Sequence, residues 1–375
     1  MVGRDEVELI LAGDVIARIA AQTCRQSGLS IVYQELLDFS GDEIYMTSAD
    51  DFQGRSYGDV ITAFVDASPI GLLVPGGGPR LNPPADTVIG PGDRLVVIAA
   101  DDDRITRGAS TVNAVDEALL AMPVPRAERP ERTLILGWNR RAPALVRELD
   151  RYAPAGSTVT VVAPAAADDA GLAGLGALLV RQGLEVRTAD SADRSVLDAL
   201  GVEVFDHIVV LCESDHLDVS RADARTLITL LHLRDIASRL GRDFSIVSEM
   251  LDLRDRALAE VARADDFIVS DRLTSLMIAQ VSENKHLNAV FADILDPEGS
   301  EIYLKPAADY VVTDRPVPYA AVVEAARRRG ETAIGYRIAA QHEESDVAYG
   351  VRLNPRKDAM VTFEADDRVI VLAED

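Results

Sequence analysis

Hydrophobic positions along this chain follow two rhythms. Residues 6–11, Glu-Val-Glu-Leu-Ile-Leu, form a short run that predicts a buried strand, after which Val15, Ile16 and Ile19 share one face of a helix. Leu29, Val32 and Leu36 recur at i, i+3 and i+7 on a second helix, with Gly28 turning the chain between the two. Short strands follow near 44–47 and 70–74, punctuated by Pro75-Gly76-Gly77-Gly78-Pro79. Gly90-Pro91-Gly92-Asp93 is a turn that presents a last strand over 94–99. The first stretch therefore predicts a helix hairpin and a small α+β lobe.

From Thr133 the rhythm changes to buried strands alternating with amphipathic helices. Strands are expected over 133–136, 159–162, 184–188, 207–211, 245–248 and 267–269. The helices between them run through Leu145, Val146 and Leu149, then over 171–182, 195–200, 221–240 and 253–262. Strand–helix succession of this kind predicts an α/β fold, a Rossmann-like doubly wound parallel sheet. Residues 101–132 read as linker, acidic at first and then broken by Pro123, Pro125 and Pro130.

The two ends of the chain repeat each other. Residues 6–46 match 264–304 at a constant offset: Glu43-Ile44-Tyr45-Met46 returns as Glu301-Ile302-Tyr303-Leu304, and Leu81-Asn82-Pro83 returns as Leu353-Asn354-Pro355. Asp93-Arg94-Leu95-Val96-Val97-Ile98-Ala99 returns as Asp367-Arg368-Val369-Ile370-Val371-Leu372-Ala373. A repeat this long marks two related domains rather than a solenoid. The expected division is 1–12, the last strand of an α/β lobe whose remainder would precede the sequence; 13–108, a helix hairpin and small lobe; 109–131, linker; 132–270, the Rossmann-like lobe; and 271–375, the second hairpin and small lobe.

Composition narrows the partners. The chain has 375 residues, 48% of them hydrophobic, and a net charge of −24, which argues against nucleic acid, whose phosphates need clustered Lys and Arg. No apolar run is long enough for a membrane-spanning helix, so no direct membrane insertion is expected. Cys24 and Cys212 have no metal-ligand spacing and read as reduced core thiols.

Candidate chemistry starts at the turn after the first strand of the α/β lobe, Gly137-Trp138-Asn139-Arg140-Arg141-Ala142. Gly137, Asn139 and Arg140 occupy the nucleotide-turn positions, but only the first glycine of a dinucleotide fingerprint is present, and no acid ends the second strand. The residues thus count against NAD or ATP. None of the five histidines pairs with a nucleophile, so no catalytic site and no enzyme is expected. Glu213, Asp215, Asp218 and Asp223 follow the fourth strand, and Glu249 and Asp252 follow the fifth. Both segments leave the carboxyl edge of the sheet, where converging carboxylates would suit Ca²⁺; Asp218 and Asp223 equally suit a helix N-terminus.

The doubly wound lobe, helix hairpin and small lobe in tandem resemble the RCK (regulator of potassium conductance) domains of ion-channel gating rings. More closely, the chain resembles the Castor/Pollux family of cation channels. The stretches that carry this are Gly137-Trp138-Asn139-Arg140-Arg141, Gln34-Glu35-Leu36-Leu37-Asp38-Phe39, Arg225-Thr226-Leu227-Ile228-Thr229-Leu230-Leu231 with Arg234-Asp235-Ile236, and Asn288-Ala289-Val290-Phe291 leading to Glu301-Ile302-Tyr303-Leu304-Lys305-Pro306-Ala307. The resemblance implies two small α+β C-lobes beside the Rossmann-like lobe, self-association as a dimer or tetrameric ring, a pore domain N-terminal to the sequence, and a place on the cytoplasmic side of a membrane. It implies a ligand-sensing role coupled to pore opening, with Ca²⁺ as the ligand of plant members. It also implies that Leu29, Val32, Leu36, Leu287, Val290 and Ile294 of the hairpins meet a neighbouring subunit; packing on their own lobe is the other reading. The rival is a nucleotide-binding peripheral subunit of a Trk-like potassium transporter.

Overall fold

The computed structural model describes residues 11–106, 115–124, 127–164, 169–242, 244–252 and 266–374. The strand expected at 6–11 falls outside these except for Leu11, and the helix expected over 253–262 falls wholly outside. The described chain forms two compact units. One gathers residues 9–30 and 127–278, the other 31–126 and 279–375, apart from the first eight residues.

The first of these units is built on a six-stranded sheet. Its strands are β5 (Arg132–Leu136), β6 (Ser157–Ala163), β7 (Gln182–Thr188), β8 (His207–Val210), β9 (Ile246–Met250) and β10 (Asp266–Val269). Every neighbouring pair is parallel, in the order β10-β9-β8-β5-β6-β7. Numbered from β5, this is the doubly wound order, with its reversal between β5 and β8. Leu134, Leu136, Ile208, Val210, Ile246 and Met250 share a core with Leu230, Leu233 and Ile236 of α7 (Val219–Leu240) and Leu197 of α6 (Arg194–Leu200). Alternation along each strand sends Val209, Leu211, Val247 and Ile268 to the opposite face.

That opposite face is covered by α4 (Ala142–Tyr152) and by α1 (Ala12–Arg25), a helix drawn from the far N-terminal part of the chain. Ile16, Ala17 and Ala20 of α1 lie with Leu145 over Val209, Leu211, Val247 and Ile268, around a cavity scarcely large enough for one water. The sequence division places α1 with the first small lobe; the structure places it on the Rossmann-like sheet. Its burial explains this, since Ile16, Ile19, Ala21 and Cys24 are all under 5% exposed. The next helix, α2 (Leu29–Leu37), starts in the same unit. Asp266 at the start of β10 accepts from Gly28 N (2.7 Å), Ser30 N (3.2 Å) and Ser30 Oγ (2.5 Å). A helix N-terminus leaves amide donors without intrahelical partners, and here a carboxylate remote in sequence supplies the acceptor.

The other unit holds both small lobes. In the first, β1 (Glu43–Ser48), β2 (Ala67–Leu73), β3 (Pro79–Leu81) and β4 (Arg94–Ala99) form an antiparallel sheet in the order β1-β4-β2-β3, with α3 (Tyr57–Ile61) beside it. The helices α8 (Ser270–Glu283) and α9 (His286–Ile294) then lead to the second copy. It repeats the sheet as β11 (Glu301–Pro306), β16 (Arg368–Ala373), β13 (Thr332–Arg337) and β14 (Val351–Leu353), with α10 (Tyr319–Arg327) and a separate pair, β12 (Pro316–Pro318) and β15 (Met360–Thr362). Even the irregularities repeat: β2 slips register at Pro69/Gly71 and β13 at Ala333/Gly335. One hydrophobic core runs through both lobes, joining Phe52, Tyr57 and Leu95 to Tyr310, Tyr319 and Phe363.

Residues 115–124, read as linker, are docked in this unit. Val312 N donates to Leu119 O (2.9 Å), Ala121 N to Tyr310 O (3.0 Å), and the Arg328 guanidinium holds both oxygens of Glu117 (2.7 and 2.6 Å).

Candidate functional site

Ligands of doubly wound sheets bind outside the carboxyl edge where the strand order reverses. Here that place is the turn from β5 into α4. Gly137 has φ +89°, which L side chains rarely adopt, and a Cβ there would lie 2.5 Å from the Leu211 carbonyl oxygen. The end of β8, not a phosphate, demands this glycine.

Asn139 lies where a dinucleotide fingerprint keeps bare backbone, and it is fully buried. Its Nδ2 donates to Cys212 O (2.8 Å) and to Glu249 Oε2 (2.8 Å), and its Oδ1 accepts from Arg141 N (2.9 Å). Glu249 at the end of β9 also accepts from Ser270 Oγ (2.8 Å) and pairs with Arg141 Nη2 at 2.5 Å. The Arg141 contact is ionic: neither Nε nor Nη2 makes a directed hydrogen bond. The turn is thus laced to the ends of β8, β9 and β10 by a buried polar network. Arg140 is exposed and lies 3.6 Å from Asp215.

The six carboxylates proposed for a cation are placed apart. Among the described residues no three of them bring an oxygen within 4.8 Å of one another; the one acidic group that does so is Asp101, Asp102 and Asp103, all exposed. Asp223 is fully buried on α7 and accepts from Leu251 N (3.0 Å) and Asp252 N (2.9 Å), so it splices α7 to the segment after β9. Cys212 Sγ lies 3.3 Å from the same carboxylate, and burial followed by that negative charge pushes its thiol pKa up. Glu249 is consumed by the network above. Glu213 accepts from Arg225 Nε (3.0 Å) and Ser191 Oγ (3.2 Å). Arg225 also reaches Asp190; although burial raises the Asp190 carboxyl, the Ala192 amide and Arg225 hold it below its ordinary value. Asp218 is the N-cap of α7, accepting from Arg221 N (3.1 Å). Its side chain, 61% exposed, and that of Asp215, 26% exposed, are the members of the set most open to solvent.

The interface candidates are also accounted for within one copy. Leu29, Val32, Leu36, Leu287, Val290 and Ile294 are each no more than 2% exposed in the single chain, so they offer no apolar surface to a neighbour. The partnerships that the sequence does not disclose are those of Asp266 with the start of α2, and of Arg141 and Ser270 with Glu249. Their partners lie from 21 to 238 residues away in sequence, and only the charge of Asp266 beside an apolar run and of Arg141 at a helix start hinted at a role.

The fold is that of a channel gating ring: the human SLO3 gating ring aligns over 99% of this chain and 77% of its own with a TM-score of 0.71, at 13% identity. A structure of the GsuK channel bound to NAD also aligns, at a TM-score of 0.37 and 14% identity, too distant for its ligand to be carried over. Residues 13–116 match the family model described as Castor and Pollux, part of voltage-gated ion channel. The whole chain is 29% identical to the probable ion channel POLLUX of Arabidopsis thaliana, covering 48% of that protein, and 31% identical to the ion channel DMI1 of Medicago truncatula, covering 46%. Residues 13–116 thus resemble the middle domain of that family, and the chain as a whole is similar in sequence to Castor and Pollux ion channels. It spans about half the length of the curated relatives it matches.

Proposed function

We propose that this chain is the ligand-sensing gating-ring portion of a Castor/Pollux-like cation channel, placed on the cytoplasmic side of the membrane and coupling ion or small-ligand binding to pore opening. The observation that carries this reading is similarity to channel proteins over the full length of a chain whose fold is a gating ring. Among the described residues no helix is long and apolar enough to cross a membrane, so the pore would lie in a part of the protein outside this sequence. The partition into the end of one RCK domain and the whole of a second, and assembly of copies into a dimer or ring, belong to the same proposal.

For the ligand we propose Ca²⁺ at the acidic rim after β8, where Asp215 and Asp218 face solvent at the carboxyl edge of the sheet. The inward carboxylates Asp223 and Glu249 are already engaged, so a cation would take rim oxygens and water. A ligand gates only through different affinities in two states of the ring. Calorimetric titration with Ca²⁺, on the wild-type chain and on Asp215→Asn with Asp218→Asn, tests the site. Heat that disappears in the double variant supports it, and no heat at millimolar Ca²⁺ removes it. A thermal-shift scan with NAD and ATP separates the rival: a nucleotide-dependent rise in melting temperature would favour a Trk-like regulatory subunit.

A further inference from the structure

The repeated tripeptide Leu-Asn-Pro has no part in the candidate site, yet both copies stand at equivalent places. Asn82 follows β3 and Asn354 follows β14, with left-handed φ of 41° and 44°. Asparagine tolerates that backbone better than most residues, and this would be reason enough for its presence. The side chains do more, because each reaches into the other small lobe. Asn82 Nδ2 donates to Gly330 O (2.7 Å), and its Oδ1 accepts from Thr332 Oγ1 (2.8 Å). Asn354 Nδ2 donates to Asp66 O (2.8 Å) and Asp42 Oδ1 (2.9 Å), and its Oδ1 accepts from Ser68 Oγ (2.9 Å). In each case the amide takes a backbone carbonyl and then the hydroxyl two residues on, at the start of the partner's bulged strand. Asn82, Asn354, Ser68 and Thr332 are all buried, at 2–9% exposure.

We propose that the two Leu-Asn-Pro turns form a reciprocal clasp that makes each small lobe the obligate partner of the other, so that the two open together as one body. The shared core supplies the attraction, and the clasp supplies the register, since an amide that lost its partner would be left buried and unsatisfied. The clasp is reinforced on one side. Lys357 N donates to Val65 O (3.1 Å) and Lys357 Nζ to Ala67 O (2.7 Å), whereas the equivalent residue of the first copy is Ala85. This inference does not depend on the ligand proposed above.

Asn82→Gly and Asn354→Gly in the whole chain test it, because glycine keeps the left-handed backbone and removes only the amide. Native-state hydrogen exchange read by mass spectrometry reports the two sheets separately. In Asn82→Gly, exchange in β2 and β4 and in β13 and β16 should rise together by about five- to tenfold, and in Asn354→Gly by at least as much. Unchanged rates in both variants, or a rise confined to the lobe carrying the substitution, would overturn the clasp. Should the glycine variants fail to fold, Ser68→Ala and Thr332→Val each remove one hydroxyl and should raise exchange in both sheets by about two- to fivefold. Unaltered exchange in these would equally overturn it.

Discussion

Replacing Asn139 by aspartate puts the buried network at the turn after β5 under a measurable load. The asparagine donates two hydrogen bonds from a fully buried position, one of them to a carboxylate oxygen of Glu249 at 2.8 Å. Aspartate at that distance sets two acceptors against each other, so one carboxyl must take up a proton or the turn must move. Raising a buried carboxyl by about three pKa units, enough to hold a proton near pH 7, costs about 4 kcal/mol. For a unit of this size each kcal/mol lowers the melting temperature by about 2–4 °C, so Asn139→Asp should melt about 8–16 °C earlier. Trp138 is the chain's single tryptophan and lies in the same turn, which makes intrinsic fluorescence a local probe. Adding Glu249→Gln restores a donor opposite the new acceptor and should recover about half of the loss, a non-additivity expected only of contacting groups. An Asn139→Asp protein that melts with the wild type, or a double variant whose losses simply add, would refute the network.

Three further outcomes follow from other parts of the fold. Asp266→Asn withdraws a carboxylate from three donors at the start of α2 and should cost about 1–3 kcal/mol in urea unfolding; an unchanged midpoint would count against the remote cap. Gly137→Ala forces a Cβ against the Leu211 carbonyl at a positive φ and should cost about 2–4 kcal/mol, read by Trp138 fluorescence. Burial lowers the Lys357 amine to about 8 from its ordinary 10.5, against the smaller opposing effect of Asp66. The folded state therefore sheds this proton first, and the stability contribution grows from pH 8 to 10.5 and is lost as pH falls back through 8. The gain should approach about 3 kcal/mol at most and be missing from Lys357→Met; equal pH slopes for the two proteins would contradict it.

Periodicity was sufficient for most of the doubly wound sheet because β5, β6, β8 and β10 are dominated by buried apolar residues and are separated by helical segments, whereas β7, polar and largely exposed, has no such run. The repeat was equally legible, down to the turns at Asp93 and Asp367, which accept from Gly90 N and Glu364 N at 2.7 Å each. What the sequence did not reveal was partnership. The apolar face of α1 reads the same whether it covers its own small lobe or a distant sheet, and the structure gives it to the sheet. Carboxylates on neighbouring loops at the carboxyl edge of the sheet read as convergent ligands, but Asp223 and Glu249 point inward to amides, an arginine and a serine. A buried charge whose partner lies a hundred residues away leaves no local pattern to find.

The direct test of the central proposal is cation flux through a protein that carries this chain together with the proposed pore. It should be reconstituted in vesicles across a Ca²⁺ series, with and without the region corresponding to residues 11–374. The proposal predicts that the intact protein's flux depends on Ca²⁺ and that removing this region abolishes the dependence while a conducting pore remains. A Ca²⁺ response that survives the deletion, or flux indifferent to Ca²⁺ in the intact protein, would contradict it.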